Sequence, residues 1–588
     1  MDQRPSKRTR LSSSLSSETR ELREEVEVHT SLTSLRRSVS PPPRTRSGQS
    51  HASIATIPRA DLKNDQFDHK RKETSGKKPA LYRARQVPSP FQLTHIRDLP
   101  DKEGSNDGTV KLRDILGDPM IKECWQFNYC FDVDFLMSQF DEDVRSLVQV
   151  KIVHGSWEKE SANRIRIDEA CARFPNVEAI TAYMPERFGT HHSKMMILLR
   201  HDDLAQVIIH TANMILGDWT NMTQAVWRSP LLPLLKGGAS SSSSTNGDTS
   251  LGTGARFKRD LLTYLRAYGP KKTGSLVQQL SRYDFAAIRA ALVSSVPSKQ
   301  NLCQLYSDKA TLWGWPALKD VLGRVPVTHR TSEKTSRKPR VVIQISSVAT
   351  LGATDKWLKS VLFEALAPTS NEGPPNYSII FPTPDEIRQS LDGYGSGGSI
   401  HMKTQSAPQK KQLEYLRPYL CHWSGNIETI DHSGDKHTRR EAGRGRAAPH
   451  IKTYIRFSDE DTMNSVDWAM VTSANLSTQA WGTATNQSGE VKISSFEIGV
   501  VVWPELYKQN PVSSESDATV NQYSDVLMVP CFKQNQPDMS NLARNAATVV
   551  GLRMPYSLPL TPYGPTDAPW CATESHYFPD WRGLSWVL

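Results

Sequence analysis

The segment Phe188-Gly-Thr-His-His-Ser-Lys-Met-Met-Ile-Leu-Leu-Arg200 predicts a turn that leads directly into a buried strand. His192 and Lys194 stand at the start of that strand with the spacing His-x-Lys. Side chains two residues apart on a strand point to the same face, so an imidazole and an ammonium lie side by side. Because one such pair arises easily by chance, it gains meaning only if the chain repeats it.

The chain does repeat it, with His450 and Lys452 in Pro449-His-Ile-Lys-Thr-Tyr-Ile-Arg456. A second block follows each pair, and the two blocks align without gaps: Val207-Ile-Ile-His-Thr-Ala-Asn-Met-Ile-Leu-Gly-Asp-Trp219 and Ala469-Met-Val-Thr-Ser-Ala-Asn-Leu-Ser-Thr-Gln-Ala-Trp481. The order His, Lys, Asn and Gln or Glu therefore occurs twice. Its members are His192, Lys194, Asn213 and Gln224, then His450, Lys452, Asn475 and Glu497. Such repetition indicates an architecture built from one unit used twice.

Two imidazoles, two ammoniums and two amides make a site for an anion. Cationic and amide donors stabilise the charge that develops in phosphoryl transfer. One histidine can attack phosphorus, while the other protonates the leaving oxygen and then deprotonates water. Gln224 and Glu497 would hold the histidine Nδ1–H groups and so set the tautomers. No Cys/His spacing is typical of a zinc site, so we expect neither a metal nor another cofactor.

The paired motifs resemble those of the phospholipase D superfamily. In most of that superfamily an aspartate follows the lysine after four residues, but Leu199 and Phe457 stand there in this chain. The missing aspartates disfavour a lipid phospholipase, and the chain instead resembles the tyrosyl-DNA phosphodiesterases that act on 3′ ends. The resemblance runs from about residue 127 to the C-terminus. Its segments are Phe127-Asn-Tyr-Cys-Phe-Asp-Val-Asp134, Val153-His-Gly155, Phe188-Gly-Thr-His-His192, Ile345-Ser-Ser-Val348, Gly397-Gly-Ser399 and Val471-Thr-Ser-Ala-Asn-Leu476.

This resemblance implies hydrolysis of the 3′-phosphotyrosyl bond between DNA and a topoisomerase I remnant, through a covalent phosphohistidine, leaving a 3′-phosphate. His192 would be the nucleophile and His450 the general acid and base. The remaining resemblance-based residues fall into two sets. The phosphate ligands would be Lys194, Lys452, Asn213 and Asn475, and the DNA contacts Phe188, Ser347, Ser399, Lys403 and Ala474. The expected partners are a topoisomerase I-derived peptide and single-stranded or end-frayed double-stranded DNA with 3′ adducts, and the expected location is the nucleus.

The expected fold class is α/β, with two similar halves that are each a mixed β-sheet flanked by helices. A pseudo-two-fold axis would relate the halves and carry the site, so a monomer suffices. We predict a disordered basic tail over residues 1–110, an N-terminal half over 111–335 and a C-terminal half over 336–588. Largely β-branched and apolar runs, such as those at 195–199 and 206–210, predict strands covered on both faces.

The composition of the chain further restricts the possible classes of protein. Residues 1–100 contain 20 Lys and Arg against 11 Asp and Glu, so this tail carries +9 of the formal charge of +10 on all 588 residues. The folded part must therefore hold DNA through local patches rather than a global field. No run approaches the roughly 20 apolar residues of a membrane span. The seven cysteines are scattered, which favours reduced thiols in an intracellular protein.

Two other classes of function stay open at this point. One is another metal-independent nuclease or phospholipase of the same superfamily, and the other is a non-catalytic protein that binds DNA ends. Four conspicuous side chains have ordinary explanations. His154 and His210 suit a supporting or core role, and Trp219 and Trp481 suit packing.

Overall fold

The structure is a computed structural model. It describes residues 84–100, 104–186, 188–235, 249–303, 310–327, 338–368, 373–424, 439–508, 526–540 and 546–588. These residues all belong to one compact unit, Ala80–Leu588. Most of the predicted tail, residues 1–83, lies outside the described residues. Its predicted end at residue 110 is wrong, because residues 85–87 and 91–93 already form strands.

The strands are β1 (Arg85–Val87), β2 (Phe91–Leu93), β3 (Ile121–Phe127), β4 (Gln149–His154), β5 (Val177–Thr181), β6 (Met195–Arg200), β7 (Leu204–His210), β8 (Ala225–Arg228), β9 (Leu232–Pro233), β10 (Ala291–Ser295), β11 (Ser298–Asn301), β12 (Arg340–Gln344), β13 (Ser347–Val348), β14 (Asn376–Ile380), β15 (His401–Met402), β16 (Leu420–Cys421), β17 (Thr453–Phe457), β18 (Val466–Thr472), β19 (Glu490–Ile493), β20 (Glu497–Val502), β21 (Val526–Cys531) and β22 (Thr548–Arg553).

The α-helices are α1 (Leu112–Leu116), α2 (Val133–Ser138), α3 (Ala162–Ala172), α4 (Leu216–Thr220), α5 (Gly254–Arg266), α6 (Pro270–Ser281), α7 (Gly314–Leu322), α8 (Glu364–Leu366), α9 (Pro384–Arg388), α10 (Ala407–Leu416) and α11 (Thr478–Trp481). A π-helical segment, Leu358–Phe363, runs directly into α8. Short 3-10 helices cover Gly393–Ser399, Arg417–Tyr419 and Pro504–Tyr507.

Two large mixed sheets have the same topology. Their strand orders are β2-β8-β7-β6-β3-β4-β5 and β10-β20-β18-β17-β12-β14-β16, with β9 added to β7. In each sheet the last three strands of the order run parallel, and all other neighbours along the order run antiparallel. The seven strands in each order thus correspond one to one, and only β9 of the first sheet has no counterpart among the described strands. The α/β fold of two similar halves, predicted from the repeated motif, is confirmed.

The division of the chain at residue 335 stays a prediction about domains. Strand β10 precedes that position, yet it forms the edge of the second sheet, as β2 does in the first. Each repeat, counted by the strands of its sheet, therefore starts with an edge strand that precedes the predicted bounds of 111 and 336. The edge strands escaped prediction because three to five residues carry too little periodicity.

The two sheets share one core because their strands are apolar on both faces. Alternate residues of β6 and β17, such as Ile197 and Ile455, belong to one buried cluster that joins the inner faces of both sheets. The intervening residues, such as Met196 and Tyr454, pack into separate clusters on the outer faces. Helix packing on these outer faces makes a layered α/β arrangement. Sheet-on-sheet packing brings the starts of β6 and β17 to a common edge.

Helix α5 packs in the cluster that joins the inner faces of the sheets, and local sequence signals set its ends. Helix α5 begins after Thr253, whose hydroxyl accepts from the Arg256 N–H, and its apolar face is buried. It ends before Gly269, which has a φ of 95°, and Pro270, which begins α6. None of the helices in the described part of the chain combines the length and the hydrophobicity of a membrane-spanning segment.

Candidate active site

The two His-x-Lys segments are held by backbone hydrogen bonds to the opposite half of the chain. The His192 N–H donates to the Phe496 carbonyl at 3.0 Å, and the Ile451 N–H donates to the Thr223 carbonyl at 2.9 Å. Glu497 directly follows Phe496, and Gln224 directly follows Thr223. Each half therefore delivers its Gln or Glu to the histidine of the other half.

His192 is paired with Glu497. Its Nδ1 lies 3.0 Å from Glu497 Oε2, and the side chains are 15% and 5% exposed. The Ser473 hydroxyl donates to the same Oε2 at 2.5 Å and itself accepts from the Ile498 N–H at 2.9 Å. The carboxylate thus has a fixed position, and it holds the proton of His192 on Nδ1, which leaves Nε2 with a free lone pair. Burial lowers the pKa of His192, although Glu497 opposes this effect.

His450 has two partners on the first half. Its Nδ1 lies 3.0 Å from Gln224 Nε2 and 2.9 Å from Asp218 Oδ2. Gln224 Oε1 accepts from the Thr211 hydroxyl at 2.7 Å, and that hydroxyl accepts from the Ala225 N–H at 3.0 Å. Gln224 therefore turns its amide nitrogen, not its oxygen, towards His450. The prediction that Gln224 accepts the Nδ1–H is not supported, because an amide nitrogen accepts no hydrogen bond.

Asp218 is the residue of this site that the sequence analysis missed. It lies in α4, its side chain is 1% exposed, and its Oδ2 also accepts from the Asn213 N–H at 2.6 Å. The aligned blocks place Asp218 opposite Ala480, so a search for features shared by both halves passes over it. The signal that could have found it is a lone carboxylate in the same block as Asn213 and close in sequence to Gln224.

The lysines are completely buried. Lys194 Nζ donates to the His192 carbonyl at 3.3 Å, and Lys452 Nζ donates to the His450 carbonyl. Burial lowers the pKa of Lys194 to about 8. Burial also brings the pKa of Lys452 well below its ordinary value, and the nearby Lys194 lowers the pKa of Lys452 further. In the described parts of the chain, neither ammonium has a carboxylate within 4.0 Å. Two buried ammoniums without a direct counterion favour a bound anion.

The two asparagines are placed differently. Asn475 Oδ1 accepts from the backbone N–H groups of Ser346 and Ser347, both at 3.0 Å. Its carbonyl is thereby occupied, and its NH2 group is left as a donor for a ligand. Asn213 is 5% exposed, and its Oδ1 has no partner among the described residues.

The candidate DNA-contacting residues differ in how accessible they are to a ligand. Phe188 is 76% exposed at the turn before His192, and Lys403 is also exposed. Ser347 and Ser399 are partly exposed, but the Ser347 N–H is taken by Asn475, so only its hydroxyl is available. Ala474 is 1% exposed, its N–H donates to Thr472, and its carbonyl accepts from Tyr454. This placement does not support a direct DNA contact by Ala474.

The other conspicuous residues lie behind the site. The His210 ring is buried against Trp219, with ring centroids 5.5 Å apart. His154 is also buried, and its Nδ1 accepts from the Ser156 N–H. Trp481 is buried and donates from Nε1 to the Asn475 carbonyl at 3.0 Å, so it helps to position Asn475. All seven cysteines are free thiols, and the described residues contain no cluster of His, Cys, Asp or Glu that could hold a metal ion.

Comparison with known proteins decides the family. The family model of the tyrosyl-DNA phosphodiesterases matches residues 90–564. The chain belongs to the tyrosyl-DNA phosphodiesterase family. A probable tyrosyl-DNA phosphodiesterase of Schizosaccharomyces pombe is 30% identical over 558 residues, covering 85% of this chain and 96% of that protein. Tyrosyl-DNA phosphodiesterase 1 of Arabidopsis thaliana is 26% identical and covers 85% of this chain and 77% of its own length.

The fold is that of the same family. The crystal structure of the yeast tyrosyl-DNA phosphodiesterase superimposes with a TM-score of 0.56 at 20% identity, covering 83% of this chain and 99% of the yeast chain. The resemblance drawn from the paired motifs is therefore confirmed. The family match starts at residue 90, just before β2, which agrees with a folded region that begins before residue 110.

Proposed function

We propose that this protein is a DNA repair phosphodiesterase that hydrolyses the 3′-phosphodiester between DNA and a tyrosine of a topoisomerase I remnant. One observation carries the proposal. Two histidines, His192 largely buried and His450 almost fully buried, each stand next to a buried lysine and receive their carboxylate partners at Nδ1 from opposite halves of the chain. A site with two such histidines can supply a nucleophile to phosphorus from one half of the chain and a proton donor to the leaving oxygen from the other.

In the first step, His192 Nε2 attacks phosphorus and the bond to the tyrosyl oxygen breaks. His450 Nε2 gives its proton to that oxygen. A phenol has a pKa of about 10, so protonation by one imidazolium suffices for departure. In the second step, His450 takes a proton from water, the oxygen attacks phosphorus, and the His192–phosphorus bond breaks. The product is a 3′-phosphate.

The charges at the site support these roles. Lys194 and Lys452 would balance the phosphate charge, since each donates to a histidine carbonyl and, among the described residues, forms no ion pair with a carboxylate. The Asn475 NH2 group donates to a phosphate oxygen, because its carbonyl is already occupied. Asn213 is the counterpart in the first half. These preorganised donors stabilise the charge on the phosphoryl oxygens in both transition states.

The same proposal covers the partners. Phe188, Ser347, Ser399 and Lys403 would contact the DNA strand near its 3′ end, single-stranded or frayed from a duplex. A topoisomerase I-derived peptide would enter from the other side of the scissile bond. One chain supplies both histidines, so a monomer is competent. Action on chromosomal DNA adducts implies a nuclear location.

The test uses a 5′-labelled oligonucleotide that ends in a 3′-phosphotyrosine, incubated with the full chain in excess EDTA and analysed on a denaturing gel. We expect conversion to the 3′-phosphate. Cleavage only after addition of Mg²⁺ would overturn the two-histidine mechanism. Tight binding without conversion in either condition would favour a non-catalytic protein that binds DNA ends.

A further inference from the structure

The two halves of the site differ at the group that faces the histidine. In the second half Glu497 supplies a carboxylate to His192, and Ala480 occupies the position equivalent to Asp218. In the first half the residue equivalent to Glu497 is Gln224, which is neutral. Asp218 supplies the carboxylate there.

The hydrogen bonds around Gln224 determine which group can accept the His450 proton. The Thr211 hydroxyl accepts from a backbone N–H, so its own hydrogen points to Gln224 Oε1. The Gln224 amide nitrogen then faces His450 Nδ1 at 3.0 Å and Asp218 Oδ2 at 3.2 Å. A reversed amide would set two acceptor oxygens against each other. Asp218 is thus the acceptor within reach of His450 Nδ1.

The buried negative charge of Asp218 also has to be compensated by a neighbouring positive charge. Its side chain is 1% exposed, and its Oδ2 accepts hydrogen bonds from His450 Nδ1, Gln224 Nε2 and the Asn213 N–H. A buried carboxylate is costly unless it is hydrogen-bonded and its charge is compensated. Burial raises the pKa of Asp218, but the neighbouring His450 and these hydrogen bonds bring it below its ordinary value. Burial lowers the pKa of His450 to about 3, and Asp218 is the group that most opposes this fall.

We propose that Asp218 is the positioning residue that keeps the proton of His450 on Nδ1 and stabilises the imidazolium needed to protonate the tyrosyl leaving group. Asp218 does not touch the substrate and acts through His450. It keeps its negative charge in both steps, while the transferred proton moves between His450 Nε2 and the oxygen atoms. Gln224 orients Asp218 by donating to its Oδ2. This assignment rests on the proposed function.

The test compares two leaving groups. Asp218→Ala should slow the single-turnover release of tyrosine from a 3′-phosphotyrosyl oligonucleotide about 100-fold, the lower end of general acid catalysis. A 3′-(4-nitrophenyl) phosphodiester leaves as a stabilised phenolate and needs little protonation. Release of nitrophenolate in the first turnover should therefore fall less than about threefold. Equal losses on the two substrates would overturn the assignment.

A rescue variant makes the test independent of folding defects. Asp218→Ala combined with Gln224→Glu gives the first half the residues of the second half, Ala480 and Glu497. The double variant should release tyrosine at least about tenfold faster than Asp218→Ala does, because a carboxylate again faces His450 Nδ1. Failure of this variant to exceed Asp218→Ala, with a normal thermal transition, would also refute the assignment.

The control is Asp467→Asn. Asp467 is another buried carboxylate, paired with Arg456 at 2.9 Å, and it lies outside the site. Loss of the Asp467 carboxylate should lower the melting temperature without changing the ratio of the rates of tyrosine and nitrophenolate release. If the wild-type chain releases neither tyrosine nor nitrophenolate, the proposed function itself fails. If it releases both and Asp218→Ala matches it, only the Asp218 assignment fails.

Discussion

Replacing Glu497 by glutamine should reverse the tautomer of His192. Glu497 Oε2 now accepts from His192 Nδ1 at 3.0 Å and from the Ser473 hydroxyl at 2.5 Å. The Ser473 hydroxyl accepts from the Ile498 N–H, so its hydrogen must go to the side chain at 497. A glutamine would satisfy that donor with its oxygen and turn its NH2 group towards His192. Nδ1 would then become an acceptor, and the ring proton would move to Nε2, the attacking atom.

The cost in rate can be worked out from this geometry. The nucleophilic ring becomes positively charged as the bond to phosphorus forms, and it loses a carboxylate whose charge is centred about 4 Å away. Such a pair is worth about 4 kcal/mol at an effective dielectric constant of about 20. Since about 1.4 kcal/mol corresponds to a factor of ten, we expect the rate to fall about 10³-fold.

The assay is rapid-quench single turnover with a 5′-labelled 3′-phosphotyrosyl oligonucleotide, with enzyme in excess and saturating. We expect the rate constant to fall while the affinity for the oligonucleotide changes little, because Glu497 is not proposed to touch the phosphate. A rate within about tenfold of wild type would refute the tautomer argument, because that loss is about 1.4 kcal/mol.

A matched control exists outside the site. Glu386 is also a buried glutamate beside a histidine, with Oε2 3.5 Å from His422 Nδ1. Glu386→Gln should destabilise the fold, as its hydrogen bonds to Ser424 and Thr383 depend on the carboxylate. Its rate on the oligonucleotide should equal that of wild type. Loss of rate in both variants would indicate a general effect on the fold.

Two further predictions concern the lysine and the turn. Burial lowers the pKa of Lys194 to about 8 in the free protein, and a bound phosphate would raise it. Affinity for a 3′-phosphorylated oligonucleotide should therefore fall as the pH rises through about 8, by up to about tenfold per pH unit. Fluorescence anisotropy at constant ionic strength measures this, and an identical pH slope in Lys194→Gln would contradict it. A Cβ on Gly189 would lie 2.0 Å from the Ser494 carbonyl oxygen, so Gly189→Ala should displace the turn before His192 and lower both the melting temperature and the rate. Gly274→Ala, in α6 with its nearest neighbour at 3.8 Å, is the control and should raise the melting temperature slightly.

Much of the fold was predictable because the chain repeats one unit. The strands β6 and β7 follow from continuous hydrophobic runs, and the repeated sequence blocks predicted a second, similar sheet. The short edge strands β2 and β10 were not predictable, because their partners lie more than 100 residues away in the chain. Pairing with β8 and β20 determines that they are strands.

The sequence by itself determined which residue types recur, and so it located both His-x-Lys pairs, both asparagines, Gln224 and Glu497. Tertiary structure alone decided which half serves which histidine, because backbone bonds such as that from His192 to Phe496 join segments about 300 residues apart. It also decided the role of Asp218. The repeat gives no signal for a residue present in one copy only, and the orientation of Gln224 depends on the hydrogen of the Thr211 hydroxyl. Local patterns record side-chain types, whereas the direction of a hydrogen bond is set by the neighbours that folding brings together.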